Sequence, residues 1–150
     1  MPRQFNDDPS RLRTPTLIVR LLAMVYDTLI VLAIWMLIGG VAVALNQGEA
    51  IDSPLGLATL KSLLLITTFL FFGFFWTRSG QTLGMMAWRL RAQSETGFSL
   101  SWTQAMIRFF AAMLSIALFG LGYWITIFSD QKVTWHERWS NSVTVRITKN

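Results

Sequence analysis

The chain has no cysteine among its 150 residues. That absence excludes disulfides, thiolate metal sites and cysteine nucleophiles. It has one histidine, His136, which cannot build a histidine metal site or a proton relay by itself. Charge is scarce as well. Asp, Glu, Lys and Arg make up 14% of the chain, where a soluble domain carries about 25%. A phosphate loop is also missing. Gly80-Gln81-Thr82-Leu83-Gly84 has glycines but lacks the Gly-Lys-Ser/Thr ending, so it reads as a tight turn at a membrane surface. His136 stands beside Glu137 without a matched nucleophile. No enzyme, cofactor or metal is therefore expected. Internal repeats and low-complexity tracts are absent too.

Long apolar runs stand in place of these features. The chain is 53% hydrophobic, with a mean hydropathy of +0.45. Three segments concentrate this character, at about Leu17–Leu45, Leu55–Thr77 and Thr103–Phe128. Crossing about 30 Å of hydrocarbon takes about 20 helical residues, so each run is long enough. A cleaved signal peptide competes for the first run, because Ala42-Val43-Ala44 looks like a cleavage site. Against it, the run exceeds a signal core of about 7–15 residues and contains Arg20 and Asp27. The fold expected is an all-α membrane protein. It has two transmembrane helices, a third apolar segment that is either a re-entrant hairpin or a third crossing, and a small cytoplasmic β element.

The net charge is +5. The basic residues flank the apolar runs, which points to membrane topology and anionic lipid rather than nucleic acid. Residues 1–16 form a polar arm with Arg3, Arg11 and Arg13, and Pro2, Pro9 and Pro15 discourage regular structure there. The loop between the first two runs holds Glu49 and Asp52 and no cation, whereas the loop after the second holds Arg78, Arg89 and Arg91. The positive-inside rule places the N-terminal arm and the second loop in the cytoplasm. The tail is basic too, with Lys132, Arg138, Arg146 and Lys149. A third full crossing would put it outside; a hairpin bent at Gly120-Leu121-Gly122 would return it to the cytoplasm, and the charge bias favours the return.

Local patterns fill in the rest. Arg89-Leu90-Arg91-Ala92 alternates, Ser94-Glu95-Thr96-Gly97 signals a turn, and Phe98 and Leu100 alternate again, which predicts a hairpin. Ser101 and Gln104 have capping-box spacing, so a helix should start there. Val143, Val145 and Ile147 read as a strand whose best partner is that hairpin. Trp124, Trp135 and Trp139 fit interfacial anchoring. Gly39-Gly40 lacks the small-xxx-small spacing, so it is weak evidence for helix dimerisation.

The candidate functional residues are charges within apolar helices, which are costly and face a partner, a cavity or headgroups. Arg20 and Asp27 lie seven apart, about 10 Å of rise on one helix face, with Ala23 between them, so each should meet another segment. Arg20 can reach lipid phosphate or an acid from the tail. Counted from Leu17, Asp27 falls at the membrane midplane, level with Thr67, Thr68 and Ser115. A cluster of Asp27, Thr28, Thr67, Thr68 and Ser115 offers oxygens suited to a proton or hard cation. Alternatively, Asp27 holds helices together. Lys61 should snorkel outward, and Arg108 should meet phosphate near its helix end. Thr134-Trp135-His136-Glu137 has capping-box spacing, so Glu137 either caps a short helix or pairs with Arg20.

Taken in order, these residues resemble the RDD family of bacterial membrane proteins, named for one arginine and two aspartates. The match runs through Arg20…Asp27, Gly80-Gln81-Thr82-Leu83-Gly84, Arg89-Leu90-Arg91, His136-Glu137-Arg138 and Ser142-Val143-Thr144-Val145, over about Thr16–Ile147. Glu137 stands where the second aspartate is expected, and Met85 and Met86 replace basic residues. The resemblance implies a domain over residues 17–147 with a tail at 148–150. It implies a multi-pass protein of the bacterial inner membrane, with a cytoplasmic N-terminus and a family link to transport, including cation/proton exchange. A non-transporting accessory subunit or assembly factor is the alternative. A chain this small would need a homo-oligomer or a membrane partner to enclose a path.

Overall fold

The structure is a computed structural model that describes residues 2–117 and 134–148. Its described residues are mostly helical, with a small antiparallel sheet at one end. The helices are α1 (Leu17–Leu45), α2 (Pro54–Arg78), α3 (Leu83–Ala87), α4 (Trp102–Ala117) and α5 (Trp135–Trp139). The strands are β1 (Leu12–Arg13), β2 (Leu90–Ser94) and β3 (Ser142–Ile147), in the order β1-β3-β2.

α1 and α2 are long and apolar enough to cross a membrane. Their surfaces agree with that reading. Ile18, Leu29, Met36, Leu37, Leu55 and Ile66 are all exposed, a density of apolar surface that water does not tolerate on a monomer. On α1 the buried residues are Arg20, Ala23, Asp27 and Val31, a single stripe at helical spacing. The buried stripe is thus half ionic, and it faces the sheet end.

The helix boundaries follow local chemistry. Ser53 accepts a hydrogen bond from the Gly56 N–H, and Pro54 occupies the first turn of α2, where its missing N–H costs nothing. Ser101 and Gln104 form a reciprocal capping box: the Ser101 N–H donates to Gln104 Oε1 at 3.0 Å, and the Gln104 N–H donates to Ser101 Oγ at 3.2 Å. α4 begins where that spacing predicts. Gly73 lets α4 approach α2, since a Cβ there would lie 2.7 Å from the Trp102 ring. Trp76, Ala92, Leu100, Ala105 and Phe109 form the apolar core beneath.

Two expectations change at the sheet. The hairpin closes only at its turn, where the Ser94 N–H donates to the Phe98 carbonyl at 2.8 Å; β2 takes β3 as its ladder partner over its whole length, from Leu90 opposite Arg146 to Ser94 opposite Ser142. Phe98 also bridges to Gln4. The N-terminal arm is also tied down rather than loose. Leu12 and Arg13 pair with Ile147 and Arg146, the Ser99 N–H donates to the Arg3 carbonyl, Asp7 pairs with Arg91, and the Arg91 guanidinium lies 4.1 Å from the Phe5 ring centre. Pro9 sits in a short 3-10 turn before β1, so the prolines shape the arm's path without preventing its pairing.

α4 begins at Trp102, and Ser140 lies beside its first turn, since Gln104 Nε2 donates to the Ser140 carbonyl at 3.1 Å. The proposed bend at Gly120-Leu121-Gly122, with Trp124, lies outside the described residues.

Candidate functional site

The charged stripe of α1 meets two different segments at the sheet end. Asp27 meets the turn after α2. The chain leaves α2 through Gly80, whose φ of +70° and crowding against the Ala92 carbonyl leave no room for a Cβ. Thr82 then caps α3 by accepting the Met85 N–H at 3.2 Å. Its hydroxyl donates to Asp27 Oδ2 at 2.5 Å, and the Gly84 N–H donates to Asp27 Oδ1 at 2.8 Å. Both carboxylate oxygens of Asp27 are therefore engaged. Gly84 is required for this approach, since a Cβ would overlap the Ala23 carbonyl oxygen and sit 2.9 Å from the Asp27 carboxyl carbon.

Arg20 meets the C-terminal region. Its Nη1 donates to Glu137 Oε1 at 2.8 Å, while Glu137 Oε2 accepts the Thr134 N–H at 2.9 Å. Glu137 thus both pairs with Arg20 and caps α5. The longer carboxylate in the second aspartate position still reaches its arginine. Glu137 is 1% exposed and Arg20 7%, so neither charge is left to water. Such a pair is costly to break, because the surviving charge stays buried.

Arg108 belongs to the same region rather than to lipid phosphate. It is buried, and its Nη1 and Nη2 donate to Ser142 Oγ and Thr144 Oγ1 at 2.8 and 2.9 Å. Its Nη2 also lies 3.8 Å from Glu137 Oε1, and its guanidinium carbon is 5.1 Å from the Trp76 ring centre. The reason is position: α4 starts at the sheet end, so its second turn faces β3.

Asp27 does not sit among the expected hydroxyl groups. Trp35 Nε1 donates to Thr68 Oγ1 at 2.9 Å, which sets the level of α1 against α2. Asp27 lies eight residues earlier, about 12 Å along α1, level with Trp76 near the end of α2. The midplane count failed because α1 extends beyond α2 toward the sheet. Thr28 donates to its own Met24 carbonyl and Thr68 to its own Leu64 carbonyl. Thr67 is half-buried on α2, and Ser115 is buried on α4.

A cavity of about 700 Å³ runs between α1, α2 and α4. Asp27, Thr28 and Thr68 line it, with Arg20, Thr82, Arg108 and Thr144 toward the sheet end and Lys61 toward the other. Thr67 and Ser115 do not appear among its described walls. The walls are mainly apolar, from Val31, Leu64, Phe72, Trp76, Phe109 and Met113. Small-molecule sites in general combine a volume of this order, apolar walls and a few placed polar groups. Lys61 is exposed as expected, yet it also faces this space. Among the described residues, no group of three or more His, Asp or Glu side chains could hold a metal.

Sequence reasoning missed Thr82 and Gly84 as the partners of Asp27, and Ser142 and Thr144 as those of Arg108. The signal was present in part. A glycine-threonine-glycine turn that lacks phosphate-loop chemistry needs another reason for its glycines, and a buried carboxylate two helices away supplies one.

Neither a curated protein nor a solved structure matches the chain. A family profile does: that of the RDD family matches residues 14–141, the stretch that holds Arg20, Asp27, the Gly80–Gly84 turn and Glu137. Together with the two apolar helices, this match points to a membrane protein, and the chain belongs to the RDD family.

Proposed function

We propose that the protein is a transport component of the bacterial inner membrane, with the cavity between α1, α2 and α4 as its ligand compartment. The observation that carries this reading is that cavity: about 700 Å³ of mainly apolar space, bordered by Asp27, Arg20, Arg108 and Lys61. Linkage to a cation or proton would run through Asp27. Its carboxylate borders the cavity and also caps α3, so protonation would weaken the hydrogen bonds that hold α3 against α1. The orientation follows from charge. The sheet joins the N-terminal arm, the loop after α2 and the tail, and Arg11, Arg13, Arg78, Arg89, Arg138 and Arg146 lie in those segments. Glu49 and Asp52 lie between α1 and α2 at the other end. The positive-inside rule makes the sheet end cytoplasmic, and the third segment returns to it as a re-entrant hairpin.

A second reading has its own support. Both Asp27 oxygens and both Glu137 oxygens are already used within the fold. Charges spent in this way suit a non-transporting accessory subunit or assembly factor. Proteoliposome flux of Na⁺, Li⁺, K⁺ and H⁺ separates the two. Protein-dependent flux that Asp27→Asn abolishes supports transport. Vesicles no leakier than protein-free ones, with the protein folded, leave the accessory reading.

A further inference from the structure

We infer that the cavity takes a single-chain amphiphile with an anionic head, drawn from the membrane. This rests on the reading of the cavity as the ligand compartment and goes further by naming the class of ligand. Lys61 supplies the first reason. It lies seven residues into α2, about 10 Å along the helix from Pro54. A cation at such depth is expensive unless it meets a partner or reaches the interface. Among the described residues no carboxylate pairs with it, and it borders the cavity.

The walls supply the second reason. From Lys61 to Trp76 the cavity follows α2 for about 22 Å of helical rise. Leu64, Phe72 and Phe109 line that length, and Trp76 lies at its inner end beside Arg20, Asp27 and Arg108, whose charges are engaged by Glu137, the Thr82–Gly84 turn and β3. A cation at one end and a long apolar channel behind it match an acid head on a hydrocarbon chain. The volume is that of one ligand-sized molecule, which favours one chain over two. Access is the third reason. Leu32, Leu65 and Met113 line the cavity and remain exposed, so it opens sideways through an apolar surface. Entry from lipid suits that opening, and entry of a small hydrated anion does not.

The inference is tested on the purified full chain in a nonionic detergent, by native mass spectrometry and by displacement of a spin-labelled stearic acid. The probes are palmitate, palmitoyl-lysophosphatidylglycerol, palmitoyl-lysophosphatidylcholine and inorganic phosphate. Palmitate and the anionic lysolipid should bind saturably at one per chain, with the choline lysolipid about tenfold weaker and phosphate unable to compete. Lys61→Gln should weaken the anionic probes about tenfold and leave the choline lipid unchanged, while Lys61→Arg should retain binding. Lys61 is exposed, so an unchanged melting profile shows that the variant is folded. Equal binding of both lysolipids, phosphate competition, or anionic binding indifferent to Lys61→Gln would each overturn the inference. Saturable binding without flux in proteoliposomes would remove the transport reading and leave this one standing. Cation flux without Lys61-dependent binding would do the reverse.

Discussion

The two ends of the helix pair are built on different chemistry. At the sheet end, α1 is held by Arg20 on Glu137 and by Asp27 on the Thr82–Gly84 turn, all buried, and the sheet gathers three distant stretches of chain. Toward the other end, the described tie between α1 and α2 is the bond from Trp35 to Thr68, among exposed apolar side chains. The sheet end therefore fixes which segments meet. The other end exposes apolar faces suited to lipid, where helices gain little from burying more hydrocarbon. The difference teaches where charge is useful in such a chain: it specifies partners at one end and leaves the rest of the helix pair free to border a cavity.

Substitutions should follow that contrast. Glu137→Ala strikes hardest, because it breaks the buried ion pair with Arg20 and removes the cap of α5. Breaking a buried pair in this way costs about 3–5 kcal/mol, and thermal melting in detergent should fall sharply. Gly84→Ala comes next. Its methyl group would overlap the Ala23 carbonyl, and overpacking of this kind costs about 1–3 kcal/mol. The same assay should show a lower melting point, together with proteolysis in the 79–101 loop. Asp27→Asn keeps the shape and one acceptor, so one charge-assisted bond becomes neutral and the other loses its acceptor, a loss of about 1–2 kcal/mol. Trp35→Phe should be mildest, at or below about 1 kcal/mol, as is usual for single hydrogen bonds within membranes. If Trp35→Phe proved as damaging as Glu137→Ala, the contrast between the ends would be wrong.

Much of this was legible in the sequence, and the failures share a cause. Helix α4 began at its capping box, the C-terminal strand found the loop after α2, and Arg20 and Asp27 each met a separate segment. These features rest on local spacing or on the high cost of unpaired charge. What failed needed tertiary placement. Depths counted from each helix's own end put Asp27 level with Thr67, but their true levels depend on how far α1 overhangs α2. Alternation and a turn signal predict a hairpin, yet only its turn closes, through Ser94 and Phe98, while Ala92 on the same edge of β2 bonds to Gly80 and the other edge pairs with β3. A place near the end of its run points Arg108 to phosphate, although two hydroxyl groups from β3 are its partners. Such partners, distant in the chain and ordinary in type, leave no local trace.

The N-terminal arm and the C-terminal strand lie side by side at one end of the helix pair. The chain lacks cysteine, so introduced pairs report without background. Arg13 and Arg146 are partners across β1 and β3 and are both exposed. Arg13→Cys with Arg146→Cys should form an intramolecular disulfide on mild oxidation in membrane vesicles, whereas Arg13→Cys with Leu45→Cys, at the far end of α1, should not. Failure of the first pair to cross-link, with each cysteine open to maleimide, would contradict the account.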